Sequence, residues 1–514
     1  MAFKVALNNT AIPWQDPLNF AQKISDNYRD ESWIFLYSGL NEKPDEKPDE
    51  KNSYLAIFPR EKIVCADFFA AEKILKNSEE RWFGYLSYEV AHDFEKFPKT
   101  KKSFIYLPKI WLVNFNLVFE FDHKKKELTA IFSDEKLLEK VMKWTPQQVR
   151  GDKLMVARGD KLMVALGDKL MVALGDRLMV IRGNGLGALD NRLKVGMPEA
   201  LQRNTSLSAT MPSLFSSRSL SPRITSSPSP RTCCGVHSNF TDSSYLKTIS
   251  KIKELIARGD LYQTNLTRKF FGEFKQKQNQ QSAFKAFVDL TKISPANYSS
   301  FSKLDENFII SSSPELFFQV KNRKIISRPI KGTAPRGSDE KSDRQNKLDL
   351  KNSPKECAEN LMIVDLVRND LARICKAGSV VVKKLFKITT YKTIHHMSSE
   401  IHGELNQDCL SIDALKACFP PGSMTGAPKI KAMEIAAKEE KINRGIYSGA
   451  IGFIDQKSAN FSVVIRTLIL QGKKFEFQTG GAITFDSDPE KELAETYSKA
   501  KALMKVTRSL LQET

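Results

Sequence analysis

Ser327-Arg328-Pro329-Ile330-Lys331-Gly332-Thr333-Ala334-Pro335-Arg336-Gly337 follows a strand, turn and strand pattern that runs from Val320 to Ile326. Two prolines restrict the chain on either side of Lys331, and Gly332 lets the backbone approach a ligand closely. The result is one amine on a stiffened support, with Arg328 and Arg336 as its nearest cations in sequence. Upstream, Ile309-Ile310-Ser311-Ser312-Ser313-Pro314-Glu315 reads as a strand ending in Ser-Pro-Glu, which places Glu315 on a neighbouring strand. A carboxylate and an amine delivered by paired strands can serve as proton carrier and nucleophile.

Downstream, Ser353-Pro354-Lys355-Glu356 opens a helix that runs to about Ile374. Ser353 is an N-cap, Pro354 stands at the first helical position, and Glu356 completes a capping box. Leu361-Met362-Ile363-Val364 is apolar all round and is expected to be buried. Glu359 lies one turn beyond Glu356 on the same face. A second acidic helix begins at Asp488-Pro489-Glu490, with Glu492 and Glu495 again three apart. Oxygen-rich sites with few protein ligands suit Mg²⁺. Exposed acids at this spacing also commonly line a solvated helix face.

Other stretches carry polar chemistry. Tyr391-Lys392-Thr393-Ile394-His395-His396-Met397 holds two adjacent histidines; on a strand they face opposite ways, so one at most enters a given site. Phe419-Pro420-Pro421-Gly422-Ser423-Met424-Thr425-Gly426-Ala427-Pro428-Lys429 is a Gly/Pro loop feeding a helix, where free N–H groups bind anions. Arg466 ends the apolar run Phe461-Ser462-Val463-Val464-Ile465. A buried arginine needs a carboxylate, and a planar substrate carboxylate fits its fork.

From about Ser238 to the C-terminus, and more weakly over residues 1–140, these motifs resemble those of the chorismate-utilising enzymes. Pro329-Ile330-Lys331-Gly332-Thr333-Ala334-Pro335-Arg336-Gly337 resembles the family signature in its Lys form, that of aminodeoxychorismate synthase component I. The anthranilate synthase counterpart usually carries Ala in place of Lys331. The 419–429 loop and Gly259-Asp260-Leu261-Tyr262-Gln263-Thr264-Asn265-Leu266 are further family landmarks.

The resemblance implies an α+β fold, a sandwich of large antiparallel β-sheets inside outer helices. It implies Lys331 as nucleophile, Glu315 as general acid/base and His396 as an active-site histidine, with His395 structural. Glu359 and Glu495 become Mg²⁺ ligands, and Glu356 and Glu492 hold metal-bound water. Gly332, Thr333, Gly422, Ser423, Tyr447, Arg466, Gly480, Gly481 and Ala482 become substrate contacts; Ala482 departs from the Gly often found there. Ser38 and Tyr298 match, loosely, the family's tryptophan pocket. The implied reaction is amination of chorismate to 4-amino-4-deoxychorismate for para-aminobenzoate and folate synthesis, with ammonia from a glutamine amidotransferase partner. Anthranilate synthesis is the near alternative, and a non-catalytic basic binding protein the distant one.

Composition bears on that last alternative. The 514 residues are 41% hydrophobic and 27% charged, with a net charge of +19. Residues 149–235 alone hold thirteen Lys and Arg against six acids; elsewhere the charges are interspersed and no basic helix carries interleaved aromatics. A solvated surface is expected rather than a nucleic-acid face. Seven scattered cysteines without a CxxC pair, no signal-peptide run and no apolar stretch near the roughly 18 residues of a membrane helix point to a reduced cytoplasm.

Three regions are expected: a β-rich N-terminal domain over 1–148 resembling that of anthranilate synthase component I, an insertion over 149–235 and a chorismate-binding domain over 236–514. The insertion begins with an octapeptide repeat, Arg150-Gly151-Asp152-Lys153-Leu154-Met155-Val156-Ala157, recurring to Ile181. A Gly every eight residues argues against a helix and allows a small meander. The Ser-, Pro- and Arg-rich stretch 204–232 is expected to be disordered, and disorder is also the expectation for the insertion as a whole.

Overall fold

The computed structural model describes residues 7–38, 52–143, 235–391 and 394–512, together with strands between 154 and 187. These divide into two compact units, residues 1–152 with 235–514, and residues 153–234.

The larger unit is an antiparallel network with helices outside it. Its long strands Asn52–Cys65 and Ile110–Asp122 pair along most of their length, from Asn52↔Asp122 to Cys65↔Ile110. The strands are apolar on both faces, and alternate residues enter different cores. Trp33, Phe35, Leu55, Ile57, Phe119, Phe121, Ile310 and Leu470 face helices Pro17–Asn27, Gln280–Ile293 and Pro489–Gln512. Ile34, Ala56, Phe83, Tyr85, Val113, Ile309, Ile451 and Ile469 face inward, into the core between the two sheet halves. Trp82, Leu86, Ala450 and Ile454 face helices Phe68–Lys76, Pro354–Ala372 and Ser411–Cys418 on the far side. This is the α+β sandwich with outer helices that the motifs implied.

The N-terminal residues do not form a body of their own. Trp33–Tyr37 pairs with Tyr298–Leu304, and Trp82–Leu86 pairs with Ala450–Ile454. Distant segments thus complete one another's sheets, which residue patterns within either segment do not encode. A buried ion pair reinforces the join: Lys269 Nζ meets Glu476 at 2.9 Å, and Glu476 also accepts the Ile105 N–H at 2.9 Å. Breaking one partner of such a pair leaves an uncompensated buried charge, at a cost of about 3–5 kcal/mol.

The described part of the repeat is made of strands. Leu154–Arg158, Lys161–Leu166, Lys169–Leu174 and Arg177–Arg182 pair in order as an antiparallel meander, closed by Gly185–Gly187. An eight-residue period accommodates a six-residue strand and two connecting residues, which is hairpin spacing. Residues 204–232, and residues 43–51 with their repeated Lys-Pro-Asp-Glu, lie outside the described residues.

The division into two units carries an expectation. Replacing 153–234 by a short Gly/Ser linker should leave the melting temperature of the larger unit within about 4 °C of the full chain, since loop length changes stability only slowly. A larger fall in differential scanning calorimetry would mean that the repeat packs on the sandwich.

Candidate active site

Lys331 lies on strand Ile330–Pro335, which pairs antiparallel with Ile394–Glu404. The register slips between Ile330↔Ser398 and Thr333↔His396, so Lys331 and Gly332 form a bulge opposite one residue. Gly332 sits at φ +91°, open to glycine and strained for other residues. A Cβ there would also come within 3.0 Å of Glu356 Oε2. The residue Lys331 is half-buried, but its amine is enclosed. Burial pushes the amine's pKa down and Lys499 reinforces this, against the opposing pull of Glu359, Glu315 and Glu495.

Arg328 and Arg336, the cations expected beside Lys331 from sequence, are engaged elsewhere. Arg328 Nε binds Glu400 at 2.8 Å, and Arg336 Nε binds Asp343 at 2.6 Å. The cation that acts on Lys331 is Lys499, one turn beyond Glu495 on helix Pro489–Gln512. Its amine meets Glu495 at 2.5 Å and donates to the Gly480 carbonyl at 2.9 Å. Its i,i+4 spacing from Glu495 was the available signal.

Glu315 is buried in the link between strands Asn307–Ser313 and Leu316–Lys321. Burial raises its pKa to about 7, against the Ser423 hydrogen bond, the Lys331 charge and the Ile330 N–H. Ser423 belongs to the short turn of 3₁₀ helix Gly422–Met424, so the Gly/Pro loop delivers a hydroxyl to the Glu315 carboxyl. A cavity beside them is lined by Glu315, Ser423, Gly422, Pro329, Val367 and Asp370, among others. Tyr447 is buried close enough to Glu315 for the carboxylate to raise its pKa, although burial is the larger cause.

His396 pairs in register with Thr333 and is buried. Burial, then Arg466, hold its pKa well below the ordinary value, so its ring is neutral. Arg466 donates to His396 Nε2 at 3.3 Å and to Ser294 Oγ at 3.4 Å. Among the described residues it has no carboxylate partner, and burial lowers its pKa. A buried guanidinium of this kind is a ready seat for a ligand carboxylate. His395 points the other way, to Asp343 at 3.0 Å and Thr390 at 3.0 Å, as strand alternation requires.

Gly480, Gly481 and Ala482 lie on strand Lys474–Ile483, opposite Thr267, Leu266 and Asn265. Past Phe477 that strand no longer pairs with Thr467–Gln471, so its other edge is open for N–H donation. A Cβ on Gly480 would fall 2.5 Å from the Leu266 carbonyl, and one on Gly481 would fall 3.0 Å from Glu492 Oε2. Gly480 therefore admits the neighbouring strand, and Gly481 admits the second acidic helix.

The two acidic helices face each other. Lys355 Nζ lies 3.8 Å from Glu359 and 3.4 Å from Glu492 and so spans them. Burial raises Glu359 to about 7, and Glu356 and Glu492 add to the rise. Glu356 and Glu492 are raised too, by burial first. Burial also works to raise Glu495, but Lys499, with Lys331 and Lys355, outweighs it and the net direction is down. The Glu356 carboxylate lies beside Gly332, while its N–H takes the Ser353 cap at 3.3 Å. Leu361, expected in the core, is 51% exposed because the helix turns only one face inward.

No group of three or more His, Cys, Asp and Glu among the described residues is already drawn around one point. Mg²⁺ needs only one or two carboxylates, with water and ligand oxygens completing its shell. Carboxylates that raise one another's pKa are relieved by a divalent cation, so this donor set fits Mg²⁺. Ser38 and Tyr298 line a separate pocket with Tyr37, Asn52, Tyr54 and Asn460. Among the described residues no helix is long and apolar enough to cross a membrane.

A lysine–carboxyl pair, a neutral histidine, a buried arginine and facing acidic helices lie inside an antiparallel sandwich. The family model described as chorismate binding enzyme matches residues 190–505, and the chain belongs to that family. It is similar to anthranilate synthase component 1 of Aquifex aeolicus, 40% identical over 269 residues, which is 52% of this chain and 53% of that one. It is also similar to aminodeoxychorismate synthase component 1 of Escherichia coli, 38% identical over 269 residues, 52% of this chain and 58% of that one. The chain thus spans about half the length of the curated relatives it matches. Among solved structures, anthranilate synthase component I from Streptococcus pneumoniae superposes with a TM-score of 0.63 at 24% identity, covering 90% of this chain and 94% of that one. The menaquinone-specific isochorismate synthase from Escherichia coli gives 0.65 at 15% identity, covering 98% and 94%. At these identities the two structures speak to the fold.

Proposed function

We propose that this protein aminates chorismate to 4-amino-4-deoxychorismate, acting as an aminodeoxychorismate synthase component I. The observation that carries the reading is Lys331, an enclosed amine with a lowered pKa beside a carboxyl raised to about 7. Neutral Lys331 attacks ring carbon C2, the two conjugated ring double bonds shift, and the 4-hydroxyl leaves as water with the Glu315 proton. Ammonia then adds at C4, the two double bonds shift back, Lys331 is expelled from C2 as the neutral amine, and the new ammonium group returns a proton to the Glu315 carboxylate. The sum is chorismate plus ammonia giving product plus water. Arg466 receives one substrate carboxylate, and open N–H groups of the 480–482 edge and Ser423 orient the ring. Glu359 and Glu495 would hold Mg²⁺, with Glu356 and Glu492 beside it, and the ion would supply charge neutralisation for a substrate carboxylate.

Mass spectrometry of the product from chorismate, Mg²⁺ and ammonium tests the reading; anthranilate as the sole product would replace it with the anthranilate branch. No Gly-x-Cys-x-Gly nucleophile motif surrounds any of the seven cysteines. The purified chain should therefore use ammonium and leave glutamine untouched until a glutamine amidotransferase is added. Turnover with glutamine and no second protein would refute the two-component reading.

Glu359→Gln and Glu495→Gln should each raise the half-saturating Mg²⁺ concentration by roughly tenfold or more, as even outer-shell changes at metal sites do. Unchanged metal titrations in both variants would remove the acidic helices from the metal's reach.

A further inference from the structure

We infer that Asn360 is the positioning residue that aims Lys331, an inference that rests on the reading of Lys331 as nucleophile. Asn360 directly follows Glu359 on helix Pro354–Ala372 and is 1% exposed. Its Nδ2 donates to the Lys331 carbonyl at 3.4 Å, and its Oδ1 accepts from Ser399 Oγ at 2.5 Å. Ser399 in turn donates its N–H to the Pro329 carbonyl at 3.2 Å, and its Oγ accepts the Phe386 N–H at 3.2 Å.

These bonds fall on the one-residue slip between Ile330↔Ser398 and Thr333↔His396. A bulge takes its extra residue out of the regular ladder, so its carbonyl must find a partner elsewhere. Asn360 supplies that partner from the helix and is itself held in orientation by Ser399 on the adjacent strand. Helix and strand are thereby fastened together at the point where one carries Glu359 and the other Lys331. A side-chain amide suits this place because it donates at one end and accepts at the other without adding charge beside the amine.

The function of such a clamp is aim. Losing it frees the bulge to rotate, and a displacement of about 1 Å at a reacting group can cost on the order of 10²-fold in rate. Asn360 touches neither Arg466 nor the 480–482 edge through any bond of its amide, so substrate binding is largely spared.

The test uses the full chain with chorismate, Mg²⁺ and ammonium. Asn360→Ala should lower kcat by roughly 30- to 100-fold with the chorismate KM within about threefold. Hydrogen exchange in a peptide covering residues 328–335 should quicken at least about tenfold, while peptides from strand Thr467–Gln471 exchange as in wild type. Ser399→Ala should move both readouts the same way, and Ser399→Thr, which keeps the hydroxyl, should restore them. Wild-type kcat in Asn360→Ala, a pure KM effect, or unchanged exchange at 328–335 would each overturn the inference. A wild-type enzyme that makes no 4-amino-4-deoxychorismate would instead overturn the proposed reaction. Exchange at the bulge would then still decide whether Asn360 holds it.

Discussion

Lys331→Ala removes 4-amino-4-deoxychorismate formation at ordinary ammonium concentrations, by roughly 10³-fold or more, the scale seen when an enzyme loses its nucleophile. Fold and chorismate affinity should stay nearly intact. The lost amine is one whose charge burial already disfavours, and Arg466 and the acidic helices remain to hold carboxylates. Lys331→Arg should be equally inactive, because a guanidinium stays protonated and cannot attack. Peptide mass mapping of wild type quenched during turnover should show substrate mass on the 329–335 segment, absent from both variants. Amination by Lys331→Ala near the wild-type rate would sink the covalent route and leave direct attack by ammonia as the mechanism.

The residues in that argument differ in how far sequence alone exposed them. Lys331 and Glu315 were legible through the match of Pro329-Ile330-Lys331-Gly332-Thr333 and Ser313-Pro314-Glu315 to the family's motifs; as isolated residues both would read as surface groups. The i,i+3 spacing put the acids 356 and 359, and 492 and 495, in pairs on one helix face each; only the resemblance singled them out from an ordinary solvated face. The cations around the amine were not legible. Arg328 and Arg336 are close to Lys331 in sequence, yet strand geometry sends them to Glu400 and Asp343. Lys499 comes from a helix more than a hundred residues downstream. Nothing local announces that pairing, just as nothing local announces that strand Trp33–Tyr37 completes a sheet with Tyr298–Leu304. Short apolar runs marked strands; they could not tell which strands meet.

Glu315→Gln should lower kcat by roughly 10²- to 10⁴-fold, the range for loss of a positioned proton donor. The pH dependence separates this from a packing effect. Burial holds the Glu315 carboxyl at about 7, so the acid form persists to neutrality and is lost as pH rises through that value. The Lys331 amine, its pKa lowered, gains its neutral form as pH rises. Wild-type activity should therefore follow a bell, since the amine must have shed its proton while the carboxyl keeps its own. In Glu315→Gln the limb near pH 7 should vanish while the amine's limb stays.

Stability supplies the control. A carboxyl whose folded pKa is raised disfavours the folded state once the pH exceeds its ordinary value, increasingly until the folded pKa is passed. Gln has no proton to lose, so Glu315→Gln should melt at or above the wild-type temperature at pH 8, with the difference closing toward pH 5. An inactive variant that is more stable in alkali has lost chemistry rather than structure. A Glu315→Gln enzyme that keeps a limb near pH 7 would assign that limb to another group and remove Glu315 from the proton transfer.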